Sequence, residues 1–196
     1  MDNTDKSLID AHCQGDTTAF EQLLRRHGPS VLGYLIKMTG SREKAEDFFQ
    51  ETFKRVHEKA HTIRGNHFKP WLFRVATNVA IDGSRGSGRL PVVSLNQKVS
   101  GSSENEQEVG AVALVDNSHN PADQVVKAEQ KKQVRRAIDL LPKRQRATLI
   151  LAYYQQLSYP EVAQAMGCST GTVKTQMYRA LKTLARKLPF VTGGTK

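Results

Sequence analysis

Along the first ninety positions apolar residues recur at intervals of three and four: Leu8, Ile9 and His12; Phe20, Leu23 and Leu24; Val31, Leu32, Leu35 and Met38. Strand-like alternation is nearly absent, so this half of the chain is predicted to be helical. Gly15-Asp16 and Gly28-Pro29 punctuate the first helices. Gly40-Ser41 opens another, with Ser41 as its N-cap, running over about residues 42–60. A loop, "HTIRGNHFK", leads to a helix entered through Pro70 that carries Trp71, Phe73 and Val75 and gives out in "GSRGSGR". From Leu90 to Asn120 the pattern stops: the segment is rich in Ser, Gly, Asn and Glu and reads as a flexible linker.

Helical order resumes at Asn120-Pro121, an N-cap followed by proline at the first helical position, and should run to about Leu141. Pro142 opens a further helix with Ala147, Leu149, Ile150, Leu151 and Tyr153. "SYPE", Ser158 to Glu161, has capping-box spacing. Val162, Ala163 and Met166 follow on one face, Gly167 breaks the helix, and Ser169 caps a second one with apolar Val173, Met177, Ala180, Leu181, Leu184 and Leu188. Two short helices joined by a glycine turn, the second one basic, form a helix-turn-helix pattern. The predicted fold class is therefore all-α: two small helical domains, 1–89 and 121–190, joined by a linker over 90–120, with a tail at 191–196.

Charge sharpens this picture. The chain carries +10 in all; residues 1–90 have 14 basic and 11 acidic side chains, 91–127 have 2 and 5, and 128–196 have 13 and 3, so the excess lies in the C-terminal third. No aspartate or glutamate occurs from Val162 to Lys196. A helix lying between two phosphate strands would bring any carboxylate close to like charge, whereas basic groups gain affinity by releasing counterions. Thr170, Gly171, Thr172, Lys174, Thr175, Gln176, Tyr178 and Arg179 lead that helix away from its apolar face. They are hydrogen-bonding or cationic groups of the kind that reach base edges and phosphates.

Two further stretches could carry chemistry. In "EKAEDFFQETFKRV", Ala45, Phe49, Thr52, Phe53 and Val56 share one face, while Asp47, Gln50, Glu51 and Lys54 share the other. That polar stripe is either a solvated face or a docking surface. In "IRGNHFKPWLFRVATNVAIDGSRGSGR", aromatic residues interleave with arginines, and Asn66, His67 and Asn78 accompany them, a composition suited to single-stranded nucleic acid. Trp71 and Phe73 fit the core, and the polar loop Gly65–Lys69 does not read as packing.

Several function classes drop out. The most apolar stretch, Ala147–Tyr154, is far shorter than the roughly 20 residues a membrane-spanning helix needs, so no direct membrane insertion is expected. The opening "MDNTDKSLIDAHCQGD" is polar and acidic, unlike a signal peptide, and points to a cytoplasmic protein. Cys13 and Cys168 lack CxxC partners, so neither zinc nor a disulfide is indicated, and no metal or other cofactor is expected. An α-helical hydrolase using Asp47 and Glu51 would lack a nucleophile and a metal set. A conventional operator-binding regulator, with the N-terminal helices sensing a ligand or dimerising, would bind duplex DNA specifically by itself.

Taken in order, "AEDFFQETF", "FKPWLFRVATNVAID" and "LPKRQRATLILAYYQQLSYPEVAQAMGCSTGTVKTQMYRALKTL" resemble regions 2.2, 2.3 to 2.4 and 4 of bacterial RNA polymerase sigma factors of the extracytoplasmic-function (ECF) group. The resemblance covers nearly the whole chain apart from the linker and the last residues. It implies a non-enzymatic factor that binds core RNA polymerase, with Asp47, Gln50, Glu51 and Lys54 on the β′ clamp helices and the second domain on the β flap. It also implies that Ile63, Arg64, Gly65, Asn66, His67 and Phe68, with Arg74, Asn78 and Asp82, capture the melted −10 element of promoter DNA. Arg146, Ser169, Thr170, Gly171, Thr172, Lys174, Thr175, Gln176, Tyr178, Arg179 and Lys182 would bind the duplex −35 element. The linker would pass toward the RNA exit channel, and an anti-sigma factor would cover both domains. Two departures stand out: Ile63 replaces the aromatic residue many members have before Arg-Gly, and "DGSRGSGR" is richer in glycine than the usual arginine run.

Overall fold

Side-chain caps start the first three helices. The computed structural model describes residues 4–63, 67–86 and 121–188, with side chains omitted at 84–86 and 121–127. Thr4 caps α1 (Asp5–Cys13) by accepting the Ser7 amide. Gly15 then turns the chain at φ 98°, and Asp16 starts α2 (Thr17–Thr39) by accepting from Thr18 N at 2.8 Å. Gly40, left-handed at φ 70°, ends α2; Ser41 caps α3 (Arg42–Lys59), which leads through a short 3₁₀ turn, Ala60–Thr62. The helix α4 spans Phe68–Gly86 and places Pro70 in its first turn, where a missing N–H costs little.

The structure differs from the sequence expectation at Gly28-Pro29, where α2 continues unbroken. Proline in a helix interior costs about 3 kcal/mol or more through a lost hydrogen bond and a steric clash. Here Pro29 is exposed while Leu23, Val31, Tyr34 and Leu35, all at most 1% exposed, lie on one continuous stripe. Each such side chain contributes roughly 1.5–3 kcal/mol on burial, so keeping the stripe in one helix outweighs the break. Gly28 is buried against Phe49, whose ring lies 3.5 Å from where a Cβ would stand.

In the second half, α5 (Pro121–Asp139), α6 (Lys143–Tyr153), α7 (Tyr159–Met166) and α8 (Thr170–Lys187) follow. The Glu161 carboxylate accepts from the Ser158 amide at 2.8 Å and its hydroxyl at 2.6 Å. Gly167 at φ 60° closes α7, and Ser169 Oγ accepts the Thr172 amide at 3.1 Å to start α8. All regular elements among the described residues are helical.

The N-terminal helices bury Tyr34, Leu35, Phe53, Val56, Leu72 and Phe73. Tyr34 is fully enclosed, its hydroxyl 2.7 Å from Thr77 Oγ1 and its ring edge-on to Phe73, and burial pushes its pKa far above the usual tyrosine value. Ile138, Leu141, Leu149, Met177 and Ala180 form a smaller core among α5, α6 and α8. The larger apolar cluster does not stop at the N-terminal helices: it includes Ile150, Leu151, Leu157, Val162 and Val173, so the two helical units are packed together.

Candidate functional site

Three surfaces hold the residues singled out by the sequence. On α3, buried Ala45, Thr52, Phe53 and Val56 hold one face inward. Asp47, Gln50 and Lys54 consequently face solvent, with Glu51 half-exposed beside them. Glu51 is not a free carboxylate: its Oε1 accepts from Arg55 Nε at 2.7 Å, a pairing at i and i+4 that the stripe alone had not drawn attention to. Exposed pairs of this kind are worth about 0.3–0.5 kcal/mol, so the carboxylate can exchange Arg55 for a partner's cation at little cost. Phe48 reaches across to α4, its ring 2.7 Å from where a Cβ on Gly83 would lie. The glycine at position 83 therefore has a packing role that its place in a glycine-rich basic run concealed.

On the second surface, Arg64, Gly65 and Asn66 lie outside the described residues, as do the linker 90–120 and the tail. Ile63 is half-buried against the core, its amide bonded to Ala60 O. His67 is exposed. Arg74, Asn78 and Asp82, four residues apart, line one exposed stripe of α4, because Leu72, Phe73, Ala76, Thr77, Val79 and Ala80 are buried behind them. Phe68 departs from expectation. At 2% exposure its ring packs edge-on to His27 and stacks on Trp71, so it plugs the core instead of facing nucleic acid.

The third surface is α8. Val173, Met177 and Ala180 are buried, which turns Thr172, Lys174, Thr175, Tyr178, Arg179 and Lys182 outward and leaves Thr170 and Gln176 half-exposed. Ser169 and Gly171 are exposed at its start. Two hydroxyls are already engaged locally: Thr175 Oγ1 donates to Gly171 O at 3.0 Å, and Ser169 Oγ lies 3.0 Å from Thr172 Oγ1. Lys182 Nζ lies 6.0 Å from the centre of the Tyr178 ring. Leu181, expected in the apolar stripe, is 52% exposed, because the helix presents Ala180 and Leu184 to the small core instead.

Arg146 is also placed differently from expectation. Its guanidinium turns inward, Nη1 donating to Met38 O at 2.9 Å and Nη2 to Asp139 O, with the Asp139 carboxylate 3.7 Å away. Burial lowers its pKa, partly countered by that carboxylate. In this conformation Arg146 joins the two helical units and does not face a duplex.

The electrostatics match an anion-binding surface. The Ser158 hydroxyl and amide hold the Glu161 carboxyl below its ordinary pKa, aided by the charges of Lys69 and His67. Glu161 is thereby spent on capping α7, and no acidic side chain follows it. Burial pushes the Cys168 thiol up, countered by the charge of Arg144, and its side chain packs partly buried against the core; both cysteines are free, and Cys13 is exposed. Among the described residues no cluster of His, Cys, Asp or Glu could hold a metal ion, and no helix is long and apolar enough to cross a membrane.

Comparison with known proteins places these surfaces in a family. Residues 23–90 match the model of sigma-70 region 2, and residues 131–184 match that of sigma-70 region 4. The chain is 30% identical to the ECF RNA polymerase sigma-E factor of Escherichia coli K12 over 186 residues, covering 94% of each protein. It is likewise 30% identical to the ECF sigma factor SigW of Bacillus subtilis over 176 residues, covering 89% of this chain and 91% of that one. Among solved structures, CnrH in complex with the cytosolic domain of CnrY shares the fold at TM-score 0.63, with 20% identity over 97% of this chain and 99% of CnrH. RpoE of Bartonella quintana, in complex with the anti-sigma factor NepR, shares it at TM-score 0.61, with 23% identity over 87% and 96%. With both sigma regions present in order and full-length relatives on both sides, the chain belongs to the ECF group of sigma-70 family RNA polymerase sigma factors.

Proposed function

We propose that this ECF sigma factor directs promoter-specific initiation through a division of labour among its three surfaces. The stripe Asp47, Gln50, Glu51 and Lys54 on α3 docks on the β′ clamp helices of core RNA polymerase, and the second domain engages the β flap. The exposed face of α8, Thr170 to Lys182, reads the −35 duplex from the major groove. The α4 stripe Arg74, Asn78 and Asp82, with the loop Ile63–His67, holds the melted −10 element. The observation that carries this reading is the outward face of α8: hydroxyl, amide and cationic groups over a buried apolar stripe, with no acidic side chain from Val162 onward.

The work is binding that stabilises an opened state. Extruding a base from the duplex costs a few kcal/mol, and a site that fits only the extruded base offsets that cost. No covalent step falls to this chain; catalysis belongs to the polymerase, and the factor acts in the cytoplasm where the polymerase is. Phe68 fills the core at the start of α4, and Arg146 reaches the −35 duplex only if the two helical units separate. An anti-sigma factor is a further partner, by analogy with the complexes of CnrH and RpoE. A partner recovered with the tagged chain, whose excess silences it in transcription assays, is the expected outcome; a chain active at all times with no such partner would refute that part.

The assignments separate experimentally by following closed-complex formation and permanganate reactivity of −10 thymines with holoenzyme. Lys174→Ala should weaken the closed complex itself. Asn78→Ala should leave the closed complex in place and lower thymine reactivity severalfold. Loss of both signals in both variants would show that the two surfaces do not divide the work in this way.

A further inference from the structure

A threonine in a helix can spend its only hydroxyl proton on the carbonyl four residues back, after which the side chain offers a methyl group and no donor. The fold does this twice in its interior. Thr52 Oγ1 donates to Phe48 O at 2.6 Å and Thr148 Oγ1 to Arg144 O at 2.8 Å, and both side chains are buried as if they were apolar. Thr175 makes the same bond to Gly171 O at 3.0 Å, yet it is exposed. At 3.6 residues per turn it lies opposite the buried stripe of Val173, Met177 and Ala180, at the centre of the outward face of α8.

One turn earlier on that face stands Gly171. It is not among the glycines at positive φ, which are Gly15, Gly40 and Gly167. Outside its own turn of backbone, a Cβ at Gly171 would meet only Ser169 Oγ, at an ordinary contact distance of 3.7 Å. Neither backbone conformation nor internal packing asks for glycine here, and glycine disfavours a helix relative to alanine. A missing side chain is what the close approach of another surface requires, and beside the Thr175 methyl group it leaves a shallow apolar step.

We propose that Thr175, with Gly171 making room, reads thymine: its methyl group packs on the C5-methyl group of one thymine in the −35 duplex. The inference rests on the −35 assignment of α8 given above. Thymine alone among the four bases carries a methyl group in the major groove, and threonine methyl contacts are one of the ways side chains recognise it. With its proton committed to Gly171 O, Thr175 does not donate to guanine O6 or N7 or to thymine O4. Its oxygen can still accept from adenine N6 or cytosine N4, and the variants below separate that case. Losing one buried methyl contact costs about fourfold in affinity.

The test uses holoenzyme, assembled from core polymerase and the full chain, on a promoter recovered by transcription from a fragment library. Closed-complex affinity is measured with each −35 thymine, on either strand, replaced in turn by uracil, which deletes the C5-methyl group and keeps the pairing edge. Wild type should lose about fourfold at one position under the control of Thr175. Thr175→Ser, which keeps the hydroxyl and its bond to Gly171 O, should lose that discrimination. Thr175→Val, which keeps the methyl group and loses the hydroxyl, should retain it. Gly171→Ala should raise the melting temperature of the free chain and weaken the closed complex severalfold, a combination that a structural role for the glycine would not give. A uracil series without effect, a −35 element with no thymine, or discrimination that survives in Thr175→Ser would overturn the proposal. So would a preference for adenine or cytosine that disappears in Thr175→Val, or a Gly171→Ala factor that binds as tightly as wild type. If wild type forms no promoter complex with core polymerase, the sigma reading fails, and the same uracil series on the duplex that the chain binds by itself decides the methyl contact. A chain that binds no duplex at all ends both.

Discussion

Asp5 shows what a single carboxylate does in this fold. It sits at the start of α1 and reaches two groups on α2, Arg26 Nη1 at 2.7 Å and His27 Nε2 at 2.9 Å. Partial burial opposes its ionisation, but the hydrogen bonds and charges of His27 and Arg26 prevail and hold its pKa below the ordinary value. A carboxylate depressed in the folded state contributes stability that is fully present above its unfolded pKa of about 3.9 and drains away as pH falls through the lower folded value. Asp5→Asn should therefore destabilise the chain by about 1 kcal/mol at pH 7 and by progressively less below pH 4, read from urea melts at several pH values. An unchanged difference across that range would remove the carboxylate's charge from the explanation. Gly167 makes a second prediction. Its φ of 60° suits glycine and strains other residues, so Gly167→Ala should cost about 1 kcal/mol without a steric clash, the nearest side-chain atom being 3.8 Å away.

At the scale of elements, short-range signals in the sequence translate directly into structure. Ser41 and Ser169 each cap the helix their position announced, Asp16 caps α2 at a point the sequence had marked only as a break, and Ser158 and Glu161 pair at the start of α7 as their spacing requires. Such signals are local, since a cap needs only residues three positions apart. What the sequence did not disclose depends on distant partners. Pro29 looked like a helix end because its cost is local, whereas the stripe that overrides it is buried against α3 and α4. Phe68 and Arg146 carry side chains suited to nucleic acid, and only the packing of α2 shows that one is a core plug and the other bonds Met38 O. The face of α8 needs no such correction apart from Leu181, because alternation of buried Val173, Met177 and Ala180 fixes which way its polar residues point. Lys174→Ala should weaken −35 duplex binding and, if the side chain meets a phosphate, reduce the slope of log affinity against log salt by about 1. Anisotropy titrations across a salt series measure this, and an unchanged slope with relaxed preference at one base pair would make Lys174 a base reader instead.

At the scale of the molecule, the division into two helical units with a break between them was legible from periodicity and composition, and the concentration of positive charge in the second unit from counting. Their mutual packing was not. Apolar spacing on α6 and α7 says that a face is buried, and nothing in the spacing says that its cover is α2 and α4. The account's central claim is that this chain recruits core RNA polymerase to promoters through the α3 stripe. It is tested most directly by transcription with core polymerase on a library of promoter fragments, comparing wild type with the Asp47→Ala/Glu51→Ala double variant. The account predicts transcripts that depend on the added protein and share a −35 and −10 sequence, falling at least about tenfold in the double variant, a loss of about 1.4 kcal/mol in polymerase affinity. Specific duplex binding by the protein alone, with no transcription stimulated by wild type, would contradict it and make the chain a conventional operator-binding regulator.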